Sequence, residues 1–333
     1  MADTLRVVIT DLDQGTAEPE RQVFAEYGIE LAAVGTARTP DDVIRIGREA
    51  DGLLVQYARI DGRVLDALPR VRAIGRYGVG YDMIDVPAAT KRGVLVITVP
   101  DYCTDEVADH ALAMILACAR HLLPAHRHVE RGGWNAPEVM AGVQRLASQT
   151  LGIVGLGRIG RAVARRAAGF GLRILATDPA VDDLAMRVLG AQPRPLQALL
   201  QESDYVTLHA PLSSTTRHLI GRDQLAAMKP TAYLINTARG GLVDQAALVA
   251  ALQERRIAGA ALDVFEQEPL PADHPLRGME QVLLSPHAAY YSDTAFARLK
   301  VDLATQVATA LRGELPRTPL NPEAWTATRA RRG

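Results

Sequence analysis

Three residues in the second half of the chain carry side chains that could bind an anion and move a proton: Arg239, Glu268 and His287. Each has a plain reading on its own. Arg239, ahead of two glycines, suits a surface turn. Glu268, ahead of Pro269, suits a solvated loop, and His287, behind Pro286, suits a helix entry. Taken together they read differently. All three follow the apolar runs Ala232–Asn236, Ala258–Leu262 and Val282–Ser285, which read as strands. In an open parallel sheet, ligands sit at the carboxyl ends of the strands, and polar groups converging there define a candidate reaction site. Pro211, Thr216 and Asp263 fall at the same edge.

The element that would organise such a site is Leu151–Asp178. It reads as strand, glycine turn (Gly155, Gly157, Gly160), helix, strand and acid, the dinucleotide-binding pattern in its full context. Gly155 permits the tight turn, Gly157 lets the backbone approach a pyrophosphate, and Gly160 lets the helix pack close to the strand. The helix start offers free N–H groups and a partial positive charge to phosphates. Asp178, 18 residues after Gly160, stands where a carboxylate accepts the hydroxyls of an adenosine ribose. It would repel a 2′-phosphate, so NAD is expected rather than NADP.

The rest of the chain supplies the frame. Leu5–Thr10, Ile29–Val34, Gly52–Gln56, Ala73–Arg76 and Val94–Val99 read as strands. Helices alternate with them at Glu18–Tyr27, from an N-cap at Thr39 through Ile46, and at Gly62–Leu68. That alternation implies a parallel sheet covered on both faces. Two long helices are expected at 104–122 and 292–311. The loop Tyr77-Gly78-Val79-Gly80, on glycine content alone, reads as a tight strand-to-helix connection. His110 reads as a satisfied core or boundary histidine. His121, His126 and His128 do not share a helix face, so no metal site is expected. Arg131–Ser148 reads as irregular: an arm, a lid or a subunit contact.

Composition bounds the function. A formal net charge of −1 leaves no basic footprint for nucleic acid and none for an acidic membrane surface. The basic TRARRG tail reads as a short solvated terminus. Two cysteines, Cys103 and Cys118, imply no disulfide framework and fit a reducing compartment. No signal pattern opens the chain, and no apolar run approaches the roughly 20 residues of a membrane span. A cytoplasmic enzyme acting on a small molecule is the expectation.

The motifs resemble those of the D-isomer-specific 2-hydroxyacid dehydrogenases. The matching stretches are Gly75–Asp85 (GRYGVGYDMID), Glu106–Met114 (EVADHALAM), Thr150–Gly160 (TLGIVGLGRIG) and Asn236–Asp244 (NTARGGLVD), with ALDVFEQEP ending at Pro269 and SPH at Ser285–His287. The resemblance implies an α/β fold of two doubly wound parallel-sheet domains. A Rossmann cofactor domain would span 99–287, inside a flavodoxin-like, discontinuous substrate domain of 1–98 and 288–333, with two crossing helices as the hinge. It implies NAD(H)-dependent interconversion of a 2-oxo acid and a D-2-hydroxy acid by hydride transfer, in a homodimer to which Arg131–Ser148 would contribute.

The same resemblance assigns roles. Arg239 would hold the substrate carboxylate and polarise the 2-oxo group, a task suited to its planar fork. His287 would give and take the proton, and Glu268 would pair with it and favour its imidazolium form. Tyr77, Gly78, Val79 and Gly80 would meet the substrate, the loop amides helping to hold its carboxylate. Arg158 and Ile159 would meet the pyrophosphate, Asp178 the ribose, and Pro211 and Thr216 the adenosine side. The Thr237 backbone and Asp263 would orient the nicotinamide carboxamide. After His287 comes Ala288-Ala289-Tyr290-Tyr291-Ser292, similar to the C-terminal-binding-protein corepressors, so the alternative is an NAD-sensing binding protein with little turnover. Tyr290 and Tyr291 would line the substrate side and favour larger or more apolar 2-oxo acids.

Overall fold

Short runs of β-branched and aliphatic residues form most strands among the described residues. The computed structural model describes residues 4–13 and 15–325 and divides the chain into two units, Met1–Tyr102 with Ser292–Gly333, and Cys103–Tyr291. Each cut falls four residues beyond the expected boundary at 98 or 287. At the second cut the cause is visible. The amides of Ala288 and Ala289 are bonded to Asp263, which keeps the segment after His287 with the second unit. The TRARRG tail lies outside the described residues.

The first unit holds five parallel strands: β1 (Arg6–Ile9), β2 (Glu30–Val34), β3 (Gly52–Val55), β4 (Ala73–Arg76) and β5 (Leu95–Ile97), in the order β2-β1-β3-β4-β5. That is the flavodoxin-like order. Every residue of β3, β4 and β5 is buried, as expected of strands covered on both faces. The helix Pro40–Gly47 starts with a full capping box between Thr39 and Asp42.

The helix Asp293–Leu311, from the far end of the chain, completes this unit. It lies against notches made by glycines in the strands. A Cβ on Gly75 would stand 2.7 Å from Val307 and 3.1 Å from Leu303, and one on Gly52 would stand 3.1 Å from Leu311. Past the helix, the Leu320 amide donates to Val96 O, and the Val96 amide donates to Asn321 Oδ1 at 2.8 Å. The chain end thereby closes the edge of β5. Lys300, nearly fully buried, donates to Thr16 O and lies 3.7 Å from the buried Glu20 carboxylate, which also accepts the Tyr77 hydroxyl at 2.7 Å.

The second unit has seven parallel strands: β6 (Thr150–Val154), β7 (Arg173–Thr177), β8 (Gln192–Pro193), β9 (Tyr205–Leu208), β10 (Tyr233–Asn236), β11 (Gly259–Leu262) and β12 (Val282–Leu284). Their order is β12-β11-β10-β9-β6-β7-β8. Counted from β6, this is the dinucleotide-binding order 3-2-1-4-5-6 with one strand added at the edge. The strand order reverses between β6 and β9, which pair through Leu151↔Tyr205 to Val154↔Leu208. Ala108, Ala111 and Ile115 of the helix Thr104–Ala119 share a core with Ala162, Val163 and Ala167 of the helix Arg158–Ala168.

The single helix expected over 104–122 is two. It stops at Ala119, His121 takes a left-handed φ of 46°, and a new helix runs Leu122–Glu130. Pro124 explains the break: its ring would clash with the Arg120 carbonyl if the helix continued. Arg131–Ser148 is not wholly irregular, for it contains the short helix Ala136–Val139 and a 3₁₀ turn at Leu146–Ser148. Among the described residues no helix is long and apolar enough to cross a membrane.

Candidate active site

The glycine turn at the end of β6 is built by contacts that exclude side chains. Gly155 has φ +95°, and a Cβ there would lie 2.7 Å from Ala210 N. A Cβ on Gly160 would collide with the Gly155 carbonyl oxygen, so the helix sits directly against the turn. Gly157 caps that helix and has open space where a Cβ would be. The helix start, with exposed Arg158 and half-buried Ile159, therefore presents amides and partial positive charge to an unobstructed volume. Asp178 stands just past β7. Its Oδ2 accepts the Leu156 amide at 2.7 Å and its Oδ1 the Ala180 amide at 2.8 Å. A carboxylate so held keeps further lone pairs for hydroxyl donors.

Across the strand-order reversal, the loop after β9 carries Pro211 and Thr216. The Thr216 hydroxyl donates to Pro211 O at 2.6 Å and accepts the Ser213 amide at 2.8 Å, so this side chain shapes the loop. His209, partly buried beside the Gly155 turn, is 3.0 Å from the Thr207 hydroxyl. Burial pushes its imidazole down to about 4, which leaves it neutral at pH 7. Nothing in its local sequence marked it.

After β10, the Asn236 side chain ties the turn that presents Thr237 and Arg239. Its Oδ1 accepts the Ala238 amide at 3.0 Å and its Nδ2 donates to Arg239 O at 2.9 Å. Gly240 lies flush against the Phe265 backbone, where any Cβ would collide. The Arg239 turn is thus pressed onto the loop that bears Glu268. The Thr237 hydroxyl oxygen is buried without a hydrogen-bond partner. An orphaned buried hydroxyl is costly unless something supplies the missing bond, and here it stands at the cofactor edge of the sheet.

Glu268 and His287 meet. His287 Nδ1 is 2.7 Å from Glu268 Oε2, while Glu268 Oε1 accepts the Phe265 amide at 2.9 Å. A carboxylate only accepts, so the hydrogen on this side belongs to Nδ1, and Nε2 is left for a ligand. The two side chains are 28% and 34% exposed, within reach of a substrate. The Tyr290 ring stands edge-on to the imidazole, centroids 6.0 Å apart at 81°, and Tyr291 stands edge-on to Tyr290.

Asp263 ties down the segment that carries His287. Its fully buried carboxylate accepts the Ser285 hydroxyl and the amides of Ala288 and Ala289, and its backbone oxygen accepts the His287 amide at 2.8 Å. It is the anchor of the His287 segment, and a carboxylate so held keeps a further lone pair for a ligand donor. The Tyr77 ring is buried in the first unit and its hydroxyl bonded to Glu20, which leaves its backbone to a ligand. Gly78 has φ +131°, and a Cβ there would collide with Arg76, so this loop requires its glycine. Val79 and Gly80 complete the loop, both half-buried. His121 Nδ1 lies 3.2 Å from Val139 O, His126 Nε2 lies 3.3 Å from Glu130 Oε1, and His128 Nε2 accepts the Asn135 backbone amide.

Comparison with known proteins agrees with this geometry. The family model for the D-isomer specific 2-hydroxyacid dehydrogenase, NAD binding domain, matches residues 112–289. The glyoxylate reductase of Korarchaeum cryptofilum is 48% identical over 267 residues, covering 79% of this chain and 80% of the relative. The chain belongs to the D-isomer specific 2-hydroxyacid dehydrogenase family. Among solved structures, the D-lactate dehydrogenase of Aquifex aeolicus, complexed with NAD and lactic acid, superposes with a TM-score of 0.84 at 29% identity, covering 93% of this chain and 96% of that one. The NADPH-dependent glyoxylate/hydroxypyruvate reductase of Sinorhizobium meliloti, in complex with NADP and malonate, gives 0.83 at 30% identity over 97% and 98% of the two chains. The second unit therefore carries an NAD(P)-binding domain, and the family's relatives interconvert 2-oxo and 2-hydroxy acids.

Proposed function

We propose that the chain is an NAD(H)-dependent reductase of 2-oxo acids to D-2-hydroxy acids, acting in reverse as a dehydrogenase. The observation that carries this reading is the His287–Glu268 hydrogen bond of 2.7 Å, in the unit that also bears the glycine turn. The residues present fit the cofactor. The open space at Gly157 suits a pyrophosphate, the Asp178 carboxylate suits a ribose, and the orphaned Thr237 hydroxyl lacks the partner a bound nicotinamide nucleotide would bring.

When bound, NADH supplies the hydride. His287 delivers the matching proton from Nε2 to the 2-oxo oxygen, and Glu268, accepting from Nδ1, stabilises the imidazolium that starts the step. Arg239 pairs with the substrate carboxylate and draws electron density from the oxo group. The amides of the Gly78–Gly80 loop, in the first unit, are proposed as carboxylate-binding groups. After transfer His287 is neutral and regains its proton from solvent. Pro211 and Thr216 shape the adenosine side, and Arg158 and Ile159 meet the phosphates.

NAD is the proposed cofactor because the Asp178 carboxylate would face a 2′-phosphate with like charge. The edge of Tyr290 against His287 favours larger or apolar 2-oxo acids over glyoxylate. The working form is proposed as a homodimer in a reducing cytoplasm, the two cysteines being buried.

The test is NADH oxidation with glyoxylate, hydroxypyruvate, phenylpyruvate and 4-methylthio-2-oxobutyrate, repeated with NADPH. Turnover with at least one acid and a preference for NADH are expected. NADH binding without turnover on the whole panel would overturn the enzyme reading in favour of an NAD-sensing binding protein.

A further inference from the structure

We propose that His110 is a positioning residue for His287, a role that rests on the reductase reading above. His110 sits on the helix Thr104–Ala119, 175 residues before Ser285 in sequence, and its Nε2 lies 3.0 Å from the Ser285 hydroxyl oxygen. It is also 3.8 Å from Asp263 Oδ1.

The direction of the hydrogen bonds follows from counting protons. A serine hydroxyl has one hydrogen, and that of Ser285 is directed to Asp263 Oδ1. Ser285 therefore accepts from His110, and the His110 ring carries its hydrogen on Nε2. The chain continues through Asp263. Its two carboxylate oxygens take the amides of Ala288 (2.8 Å) and Ala289 (2.9 Å), and its backbone oxygen takes the amide of His287 (2.8 Å). Three links in series thus run from the His110 imidazole to the backbone that carries the proton-transfer group.

That backbone needs holding. His287 has φ +53°, the left-handed region that residues with a side chain adopt only when their surroundings compel it. The compulsion comes from Asp263, whose carboxylate is fully buried. A buried carboxylate stays in one orientation when all its partners are in place. His110 fixes the Ser285 rotor, and its Nε2 stands 3.8 Å from Asp263 Oδ1. Removing it frees the Ser285 hydroxyl, loosens the carboxylate, and lets residues 285–289 drift from the geometry in which His287 meets Glu268. His110 need touch neither substrate nor cofactor to do this.

The experiment compares the full-length wild type with H110A, H110Q and H110A/S285A. The glutamine places an amide nitrogen near the position of Nε2 and keeps the donor to Ser285. Steady-state kcat and KM, an NADH fluorescence titration, and the ring ¹⁵N signals of His287 in histidine-labelled protein are the readouts. H110A is expected to lower kcat about tenfold while the NADH Kd stays within about twofold. H110Q recovers most of the rate, and the double variant is no worse than H110A because both changes break one chain. The His287 ring is expected in a fixed Nδ1–H form in the wild type and in averaged forms in H110A. If kcat of H110A stays within about twofold of wild type, or H110Q is as impaired as H110A, the role is wrong. If the wild type reduces no 2-oxo acid, the reductase reading fails by itself, and the ring signals still decide: identical His287 spectra in wild type and H110A refute the positioning role, and averaged spectra uphold it.

Discussion

Replacing Glu268 by glutamine isolates the charge of the histidine partner. Glutamine keeps the length of the side chain and an oxygen to accept the Phe265 amide, now 2.9 Å from Oε1. With that oxygen so used, the glutamine NH₂ faces His287 Nδ1–H, donor against donor. The wild-type bond is 2.7 Å long, short enough for a charge-assisted pair. Such bonds contribute about 1.5–3 kcal/mol in protected settings. Both side chains are about a third exposed (28% and 34%), so solvent screening argues for the lower part of that range. A loss of about 1–2 kcal/mol from the transition state, at a factor of ten per 1.36 kcal/mol, lowers kcat roughly 5- to 30-fold. The glycine turn and Asp178 follow other strands, β6 and β7, so NADH binding is expected to hold. The assay is steady-state NADH oxidation at saturating NADH with the best 2-oxo acid, with a fluorescence titration of NADH alongside. A kcat within about twofold of wild type would refute the assigned coupling. So would an equal loss of NADH affinity, since the effect would then be structural.

Three further outcomes follow from other residues. His287→Ala should reduce kcat by about a thousandfold or more while leaving the NADH Kd within about twofold, because general acid catalysis typically contributes a factor of 10² to 10⁴; fluorescence titration and turnover separate the two. Asp178→Ala should erode the preference for NADH over NADPH by about tenfold or more in kcat/KM, the effect of removing a carboxylate that opposes a 2′-phosphate. Stability should fall on acidification through His209. Its folded-state imidazole is held at about 4 by burial, below the roughly 6.5 of the unfolded chain, so the unfolded state takes up the proton first. The contribution is complete above about pH 6.5 and is lost as pH falls toward 4, up to about 2 kcal/mol of it between pH 7 and pH 5. Urea midpoints at those two pH values should differ less in His209→Asn than in wild type.

The parts of the molecule legible in advance are those whose causes are local. β4 falls on Ala73–Arg76 as expected, since a short apolar run between loops has little else to become. The glycine turn was readable because tight turn, phosphate approach and helix packing each demand glycine at a fixed spacing. What escaped depended on distant partners. The break in the helix after Ala119 had a local sign in Pro124, which the run of aliphatic residues outweighed. The glycines inside β3 and β4 admit a helix more than 200 residues away, and no local pattern names that partner. At the site, Arg239, Glu268 and His287 were visible as strand-end residues, yet the pairing of the last two spans 19 residues and leaves no periodic trace. His110 and Ser285 are farther apart still, so His110 read as an ordinary boundary histidine. Asp263 was noticed for its place at the end of β11, and only the amides of Ala288 and Ala289 show what its carboxylate holds.

The glycine notches of β3 and β4 impose an order of assembly on a chain made from its N-terminus. The first unit is begun first and finished last: its sheet is synthesised within the first 102 residues, but the helix that fills the notches belongs to the last stretch of the chain. The second unit is one uninterrupted segment and can close while that helix is still in the ribosome. Throughout that interval the nascent sheet presents Leu54 and its neighbours uncovered along Gly52 and Gly75, together with the open edge of β5 that residues 318–321 later seal. An exposed apolar face beside an unpaired strand is the usual seed of aggregation. Slow translation or loss of the last helix therefore puts solubility at risk before it reaches any catalytic residue.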